Sequence, residues 1–411
     1  MALGIAEIII LGLLADWLVR KIKLPGLLGM LLLGIISGPY ILNTLSPGIL
    51  GVSHDLQVIA LIVILLRAGF ELSWKALTRV GGRIFLLSCV PVVFEAAAVT
   101  FAGPPLLGLS YMESAILGSI LGAVSSAVVV PMMIEFMEHR KGVEKAIPTL
   151  LLASSSTNAV FVVLLYSILI SLYIGGGRSL SWQLAGIPIS IVSGVAVGLV
   201  VGWTLYRFFK KFNPRATKRV LIVLGVSIFL LKMEHALQET VPFAALLAIM
   251  SLGVIILEKR ERYAHEMSSK LGKIWILAEL ALFVMVGAQV DVRIAWKIGL
   301  AGAAVIAIGL VARSVGTYLC LLGSALNREE RLFVVVAYLP KATVQAAIGA
   351  APLAAGMQAG PGGIILAVAV LSILLTAPAG AWAIAIAGEK WLERAPADKK
   401  FDAIDAAEKS E

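Results

Sequence analysis

Long apolar stretches alternate with short polar segments along almost the whole chain. A helix needs about 20 apolar residues to cross the hydrocarbon core of a bilayer. Thirteen stretches approach that length and predict thirteen membrane-spanning helices. The predicted spans cover residues 2–19, 26–42, 56–72, 84–107, 113–137, 146–173, 185–206, 220–237, 241–257, 272–290, 296–323, 332–356 and 362–388.

Two of these spans, the fifth and the twelfth, are interrupted near their middle. The interruptions read GAVSSAVVVP at 122–131 and YLPKATVQAA at 338–347. Lipid offers backbone groups no hydrogen-bond partner, so such breaks are tolerated only where protein or a wet cavity satisfies them. Helices broken in this way form the binding sites of secondary transporters. The pattern therefore predicts a carrier with a central site.

The two broken spans also indicate an inverted repeat. They lie seven spans apart, and an odd separation means that they cross the membrane in opposite directions. Helices 1–6 would then correspond to helices 8–13, with helix 7 as the link. The fourth and eleventh spans show the same relation, because Glu95 lies within one and Arg313 within the other.

Glu95 and Arg313 are expected to form an ion pair. Either charge alone at the bilayer centre would cost roughly 2.5–3.5 kcal/mol on insertion scales. The pair could be a structural bridge between two helices, or a gate or proton-linked element. We favour the structural bridge, because arginine stays protonated and its charge keeps a neighbouring carboxylate ionised.

Composition and charge agree with a polytopic membrane protein. The sequence is 60% hydrophobic and 14% charged, whereas soluble domains are about 25% charged. When Lys and Arg residues near the span ends are assigned to the adjoining loops, 27 of the 34 belong to loops after odd-numbered spans, four belong to loops after even-numbered spans, and three, Arg67, Arg313 and Lys341, remain within spans. Because basic residues collect in cytoplasmic loops, the N-terminus is predicted outside and the C-terminus in the cytoplasm. The plasma (inner) membrane is the expected location.

The net charge of +9 is not interpreted as nucleic-acid binding, since the basic residues are spread over short loops rather than gathered in one patch. The two cysteines and four histidines show no disulfide or metal-ligand spacing. We therefore expect no cofactor, no metal and no enzymatic activity. Residues 1–389 are predicted to form one transmembrane transporter domain, and residues 390–411 a cytoplasmic tail.

Four segments resemble the NHA-type cation/proton antiporters, in the same order along the chain. They read LRAGFEL at 66–72, AVSSAVVVP at 123–131, GVEKAIPTL at 142–150 and LPKATVQAAIG at 339–349. The last is the most specific. The resemblance implies an NhaA-like fold and a homodimer. Helices 1–3 and 8–10 would form the dimerisation scaffold, and helices 4–6 and 11–13 a core that carries substrate by an elevator-like movement.

The resemblance also implies which residues form the site. In the family the two unwound segments cross near the midplane. The residues of this chain that match that crossing are Ser125, Ser126, Lys341, Thr343 and Gln345. Glu95 and Arg313 match an interhelical acid/arginine pair of the family.

The chain departs from the family on the sixth helix. The antiporters carry an Asp-Asp pair there, and this chain has Asn158-Ala159. A slip of one residue would place Thr157-Asn158 at those positions instead, and neither register supplies a carboxylate. The oxygens of Thr157 and Asn158 can bind a hard cation but cannot exchange a proton.

Coupling would then need another titratable group. Lys341 could supply it, although neutralising the carbonyl ends of the half-helices is the simpler role for its charge; Glu95 could do so if Arg313 released it.

We therefore predict a secondary transporter that exchanges a monovalent cation, sodium or lithium, for protons within the lipid bilayer. The alternative is a carrier of the same fold without proton coupling. Because Lys341 and Arg313 are opposed only by Glu95 among the core charges, that carrier could move an anion or a small organic solute.

Overall fold

The computed structural model describes residues 2–21, 25–71, 81–174, 180–237 and 243–394, and these residues form helices without strands. The helices are α1 (Ala2–Lys21), α2 (Leu27–Ser37), α3 (Pro47–Gly51), α4 (Ser53–Glu71), α5 (Gly81–Leu107), α6 (Tyr111–Leu121), α7 (Ser126–Glu138), α8 (Ile147–Ile174), α9 (Leu180–Phe212), α10 (Ala216–Leu237), α11 (Ala245–Lys259), α12 (Glu261–Ala288), α13 (Val292–Cys320), α14 (Arg328–Ala337), α15 (Thr343–Gly349), α16 (Ala351–Ala354) and α17 (Ala359–Trp391).

The predicted all-α class is confirmed, and each predicted span falls on a helix or on consecutive short helices. Within the described residues, seven segments are long and apolar enough to cross a membrane; thirteen crossings remain a prediction. The second span is predicted too long: the prediction covers 26–42, but α2 ends at Ser37, because Gly38 leaves the helical conformation at φ −68° and ψ 171°. Residues 395–411 of the predicted tail lie outside the described residues.

The first helix of each broken span, α6 and α14, begins with a capping box. At α6, the Glu113 carboxylate accepts from the Ser110 N–H at 2.7 Å, and the Ser110 hydroxyl accepts from the Glu113 N–H at 3.3 Å. At α14, Asn327 and Glu330 make the equivalent pair of bonds at 2.7 and 2.8 Å. Such reciprocal bonds satisfy amides that a helix N-terminus leaves without partners.

The helices pack in two groups. One group contains α1, α2, α4 and α9–α12, and the other, here called the core group, contains α5–α8 and α13–α17. In the first group α2 and α12 approach closely through Gly34 and Gly287: a Cβ atom at either position would overlap a backbone carbonyl of the other helix. Small residues at helix contacts are how membrane helices bring their backbones together.

A salt bridge joins the loop after α7 to the start of α14. The Lys145 ammonium lies 2.8 Å from the Glu330 carboxylate, which also caps α14 and is 3% exposed. The hydrogen bond to Glu330 raises the pKa of Lys145 above its ordinary value of 10.5. A raised lysine pKa stabilises the fold below that ordinary value, and the contribution disappears as pH rises through the folded-state pKa.

We expect Lys145→Met to lower the melting temperature of the purified protein at neutral pH. The difference from the wild type should shrink above about pH 10.5, where the wild-type ammonium also loses its charge. Melting curves in detergent across this pH range test it. Lys270→Met, at an exposed lysine of α12, is the control and should leave the melting temperature unchanged. A difference that stayed constant into the alkaline range would contradict a charge-based contribution.

Candidate functional site: the crossing of the broken helices

The two interrupted spans meet inside the core group. Helix α6 ends at Leu121 and α7 begins at Ser126, while α14 ends at Ala337 and α15 begins at Thr343. The Ser125 N–H donates to the Pro340 carbonyl at 2.9 Å, which joins the two unwound segments directly. We call this meeting point the crossing.

Glu95 of α5 lies at the crossing with no exposed surface. Its Oε2 accepts from Nε of Arg313 at 2.5 Å, and its Oε1 accepts from Nζ of Lys341 at 2.6 Å. Both basic side chains are also fully buried. The structure therefore brings Glu95 and Arg313 together and adds Lys341 as a second partner of the same carboxylate, a contact that the sequence did not predict.

Arg313 also binds the ends of both half-helices that precede the breaks. Its Nη1 donates to the Tyr338 carbonyl at 2.9 Å and its Nη2 donates to the Gly122 carbonyl. Gly122 is the C-cap of α6, and Tyr338 is the C-cap of α14. Carbonyls at a helix C-terminus lack intrahelical donors and carry about half a negative charge. One guanidinium thus satisfies both ends.

Two further side chains bind the end of α6. Nζ of Lys341 donates to the Leu121 carbonyl. Nε2 of Gln345 donates to the Ala123 carbonyl at 2.9 Å and to the Ile120 carbonyl at 3.2 Å. Lys341 therefore binds a carbonyl at the end of a half-helix, which is one of the two roles that the sequence suggested for it, and it also contacts Glu95.

The charges at the crossing nearly cancel. Glu95 contributes one negative charge, Arg313 and Lys341 contribute two positive charges, and the C-termini of α6 and α14 add about half a negative charge each. A balanced set is what a buried site requires, because an uncompensated charge in a low-dielectric interior is costly.

Asn158 of α8 faces the crossing and its amide is already hydrogen-bonded. Oδ1 accepts from the Val124 N–H at 2.8 Å, and Nδ2 donates to the Ser88 carbonyl at 3.2 Å. Thr157 is half-buried and donates to the Ala153 carbonyl of its own helix at 2.9 Å. Position 158, which both registers contain, therefore lies at the crossing. Asn158 there acts as a link between α5, α8 and the first unwound segment.

The remaining sequence candidates lie at the starts of the helices after the breaks. Ser125 is the buried N-cap of α7, and its hydroxyl accepts from the Val128 N–H at 3.3 Å. Ser126 is half-buried as the first residue of α7, and Thr343 is buried as the first residue of α15. Across the described ranges, no group of three or more His, Cys, Asp or Glu side chains could hold a metal ion.

The comparisons with known proteins agree with this architecture. The family described as "Sodium/hydrogen exchanger, transmembrane" matches residues 8–385. Human sodium/hydrogen exchanger 9B2 is 32% identical over 391 residues, which cover 93% of this chain and 72% of that protein. Human sodium/hydrogen exchanger 9B1 is 31% identical over 384 residues, covering 90% and 73%.

Among solved structures, the sodium proton antiporter MjNhaP1 from Methanocaldococcus jannaschii at pH 8 superposes with a TM-score of 0.78 at 21% identity, covering 94% of this chain and 97% of that one. This likeness concerns the fold. The family match, which covers residues 8–385, identifies the protein as a multi-pass membrane transporter. The chain belongs to the sodium/hydrogen exchanger family.

Proposed function

We propose that the protein exchanges sodium or lithium for protons across the membrane. Family membership supports cation/proton exchange, and the observation that carries the proposal here is the buried Glu95 carboxylate between two cationic side chains at the crossing. Carboxylate and carbonyl oxygens are the ligands that hard cations prefer. Glu95 thus supplies at the crossing the negative charge that α8 lacks.

The division into two helix groups supports an elevator-like movement. The crossing and all its charged side chains belong to the core group, so this group can carry the site as a unit. We infer that α1, α2, α4 and α10–α12 form the scaffold through which two copies assemble as a homodimer. The charge pattern supports placing the N-terminus outside and the C-terminus in the cytoplasm of a plasma (inner) membrane.

An anion carrier is the second candidate, since two buried cations face one acid. Both cations are engaged, however. Arg313 donates to Glu95 and to two helix ends, and Lys341 donates to Glu95 and to the Leu121 carbonyl. An entering anion would have to replace bonds to a carboxylate and to negative helix C-termini. This arrangement favours a cation as the transported ion.

Proteoliposomes with an imposed pH gradient test the proposal. Sodium or lithium added outside should dissipate the gradient, and choline should not, since it cannot enter a small oxygen-lined site. Vesicles without protein, and vesicles given the same salts with a panel of anions, are the controls. A gradient that no cation affects, together with uptake of an anion, would replace the first candidate with the second.

A further inference from the structure

A cavity of about 690 Å³ opens between the ends of α9 and α11, in the helix group that does not contain the crossing. The charge pattern predicts that this end of both helices faces the cytoplasm. Four of the six side chains that line the cavity are cationic, and the other two are aromatic. The lining residues are Trp203, Tyr206, Arg207, Lys210, Lys211 and Lys259.

The sequence of α9 explains why the cavity forms at this end. Gly194, Gly198 and Gly202 repeat every four residues on the side of α9 that faces α11. A Cβ atom at any of them would lie 2.3–2.8 Å from a backbone oxygen of residues 244–252, so the two helices are in close contact there. The next position in this row is Tyr206. Its large side chain keeps the backbones apart, and the close contact gives way to a cavity.

The cations of the cavity can bind an anion. Arg207 lies over the Trp203 ring, 4.3 Å from its centroid, and this contact holds the guanidinium beside the cavity. Among the described salt bridges, none joins an acidic side chain to any of the four cations. Arg219, in the same basic segment of the chain, is instead paired with Glu266 at 2.8 Å. The cavity therefore presents four positive charges without an acidic partner, which suits a phosphate group.

An exposed apolar stripe on α9 leads along the helix to this cavity. It begins at Val192, which is 65% exposed, continues through Leu199 and Val200, and ends at Trp203, which is 42% exposed and lines the cavity. Tryptophan side chains collect at the headgroup level of a membrane. A ligand that covers both surfaces needs an apolar chain next to a phosphate. Phospholipids have this chemistry, and soluble phosphates do not.

We propose that the cavity binds the headgroup of an anionic phospholipid, with the phosphate among Arg207, Lys210 and Lys259 and an acyl chain along the apolar stripe of α9. Basic cavities between membrane helices on the cytoplasmic side bind such headgroups. The bound lipid holds the ends of α9 and α11 at the level of the leaflet. Because both helices lie outside the core group, the lipid anchors the part of the protein that faces the core.

Lipid binding to the purified protein in detergent, measured by native mass spectrometry, tests the proposal. Dioleoylphosphatidylglycerol and dioleoylphosphatidylcholine have the same acyl chains and differ in headgroup charge, so the wild type should bind the first more tightly. A triple variant, Arg207→Gln with Lys210→Gln and Lys211→Gln, should bind phosphatidylglycerol about 100-fold more weakly. All three side chains are at the surface, so the variant should fold.

Two further variants make the comparison specific to the cavity. Arg215→Gln with Lys218→Gln and Lys270→Gln removes the same charge from exposed positions that do not line the cavity, and should bind as the wild type does. Lys259→Gln changes only the α11 side of the cavity and should weaken binding about fivefold. This single variant provides the test if the melting temperature shows that the triple variant folds poorly.

Glycerol phosphate and inorganic phosphate distinguish a lipid from a soluble phosphate, since neither has an acyl chain. Millimolar concentrations of either should leave phosphatidylglycerol bound. The proposal is overturned if the wild type binds both lipids equally, or if the cavity variants bind phosphatidylglycerol as tightly as the wild type. It is also overturned if the variant with charges removed outside the cavity loses as much affinity, or if a soluble phosphate displaces the lipid.

Discussion

Glu95→Ala is expected to destabilise the protein by about 3–5 kcal/mol, the cost of removing one partner from a buried ion pair. The substitution leaves Arg313 and Lys341 in a fully buried site without their carboxylate. The two half-helix C-termini offset about one of the two positive charges. The melting temperature in detergent should therefore fall sharply, and the yield of folded protein with it.

Glu389→Ala is the matched control for this loss of a carboxylate. Glu389 also pairs with a lysine, Lys141, but its side chain is 69% exposed. Exposed ion pairs contribute between about 0 and 1 kcal/mol, so this variant should melt close to the wild type. Equal melting temperatures for Glu95→Ala and the wild type would show that the buried triad does not stabilise the fold.

Asn158→Asp should tighten sodium binding by about tenfold, which corresponds to about 1.4 kcal/mol. Asn158 faces the crossing, where the charges nearly cancel, so a carboxylate there gives the site a net negative charge that attracts a cation. Its oxygen can still accept from the Val124 N–H. The lost donation to the Ser88 carbonyl should lower stability by about 1 kcal/mol. Binding of ²²Na⁺ measures the first effect, and melting curves measure the second. Adding Ala159→Asp to this variant recreates the Asp-Asp pair of the NHA-type antiporters that the sequence resembles.

Thr157→Asp is the control for position, because it adds the same charge one residue away. Thr157 bonds only within its own helix in the described contacts, so a carboxylate there should strengthen sodium binding much less. An equal gain from both variants would mean that the added charge acts through general attraction. No gain from Asn158→Asp would argue against a cation site at the crossing.

The helices and the breaks could be predicted because each leaves a local signal. Apolar length predicts a span, and a proline or serine cluster within it predicts a break that needs hydrogen-bond partners. The end of α2 was missed because the apolar run continues to Leu42, while the backbone turns at Gly38. The hydropathy pattern contains no signal of such a turn.

The hydrogen-bond and ion-pair partners at the crossing could not be predicted from the sequence. Arg313 and Glu95 are 218 positions apart, and Lys341 and Glu95 are 246 apart. The sequence indicated that the charges need partners, but not that both cations would share one carboxylate. Several acceptors are backbone carbonyls, such as those of Gly122 and Tyr338. Every residue has such a carbonyl, so residue types carry no information about which ones are used.

The long separation between Glu95 and Arg313 has a consequence for synthesis. During translation α5 enters the bilayer well before the ribosome has made α13, so Glu95 spends that interval without its counter-charges. A carboxyl group in lipid avoids this cost by remaining protonated or by staying near the headgroups. The contacts of Glu95 are therefore completed only after the second half of the chain, with Arg313 and Lys341, has been made.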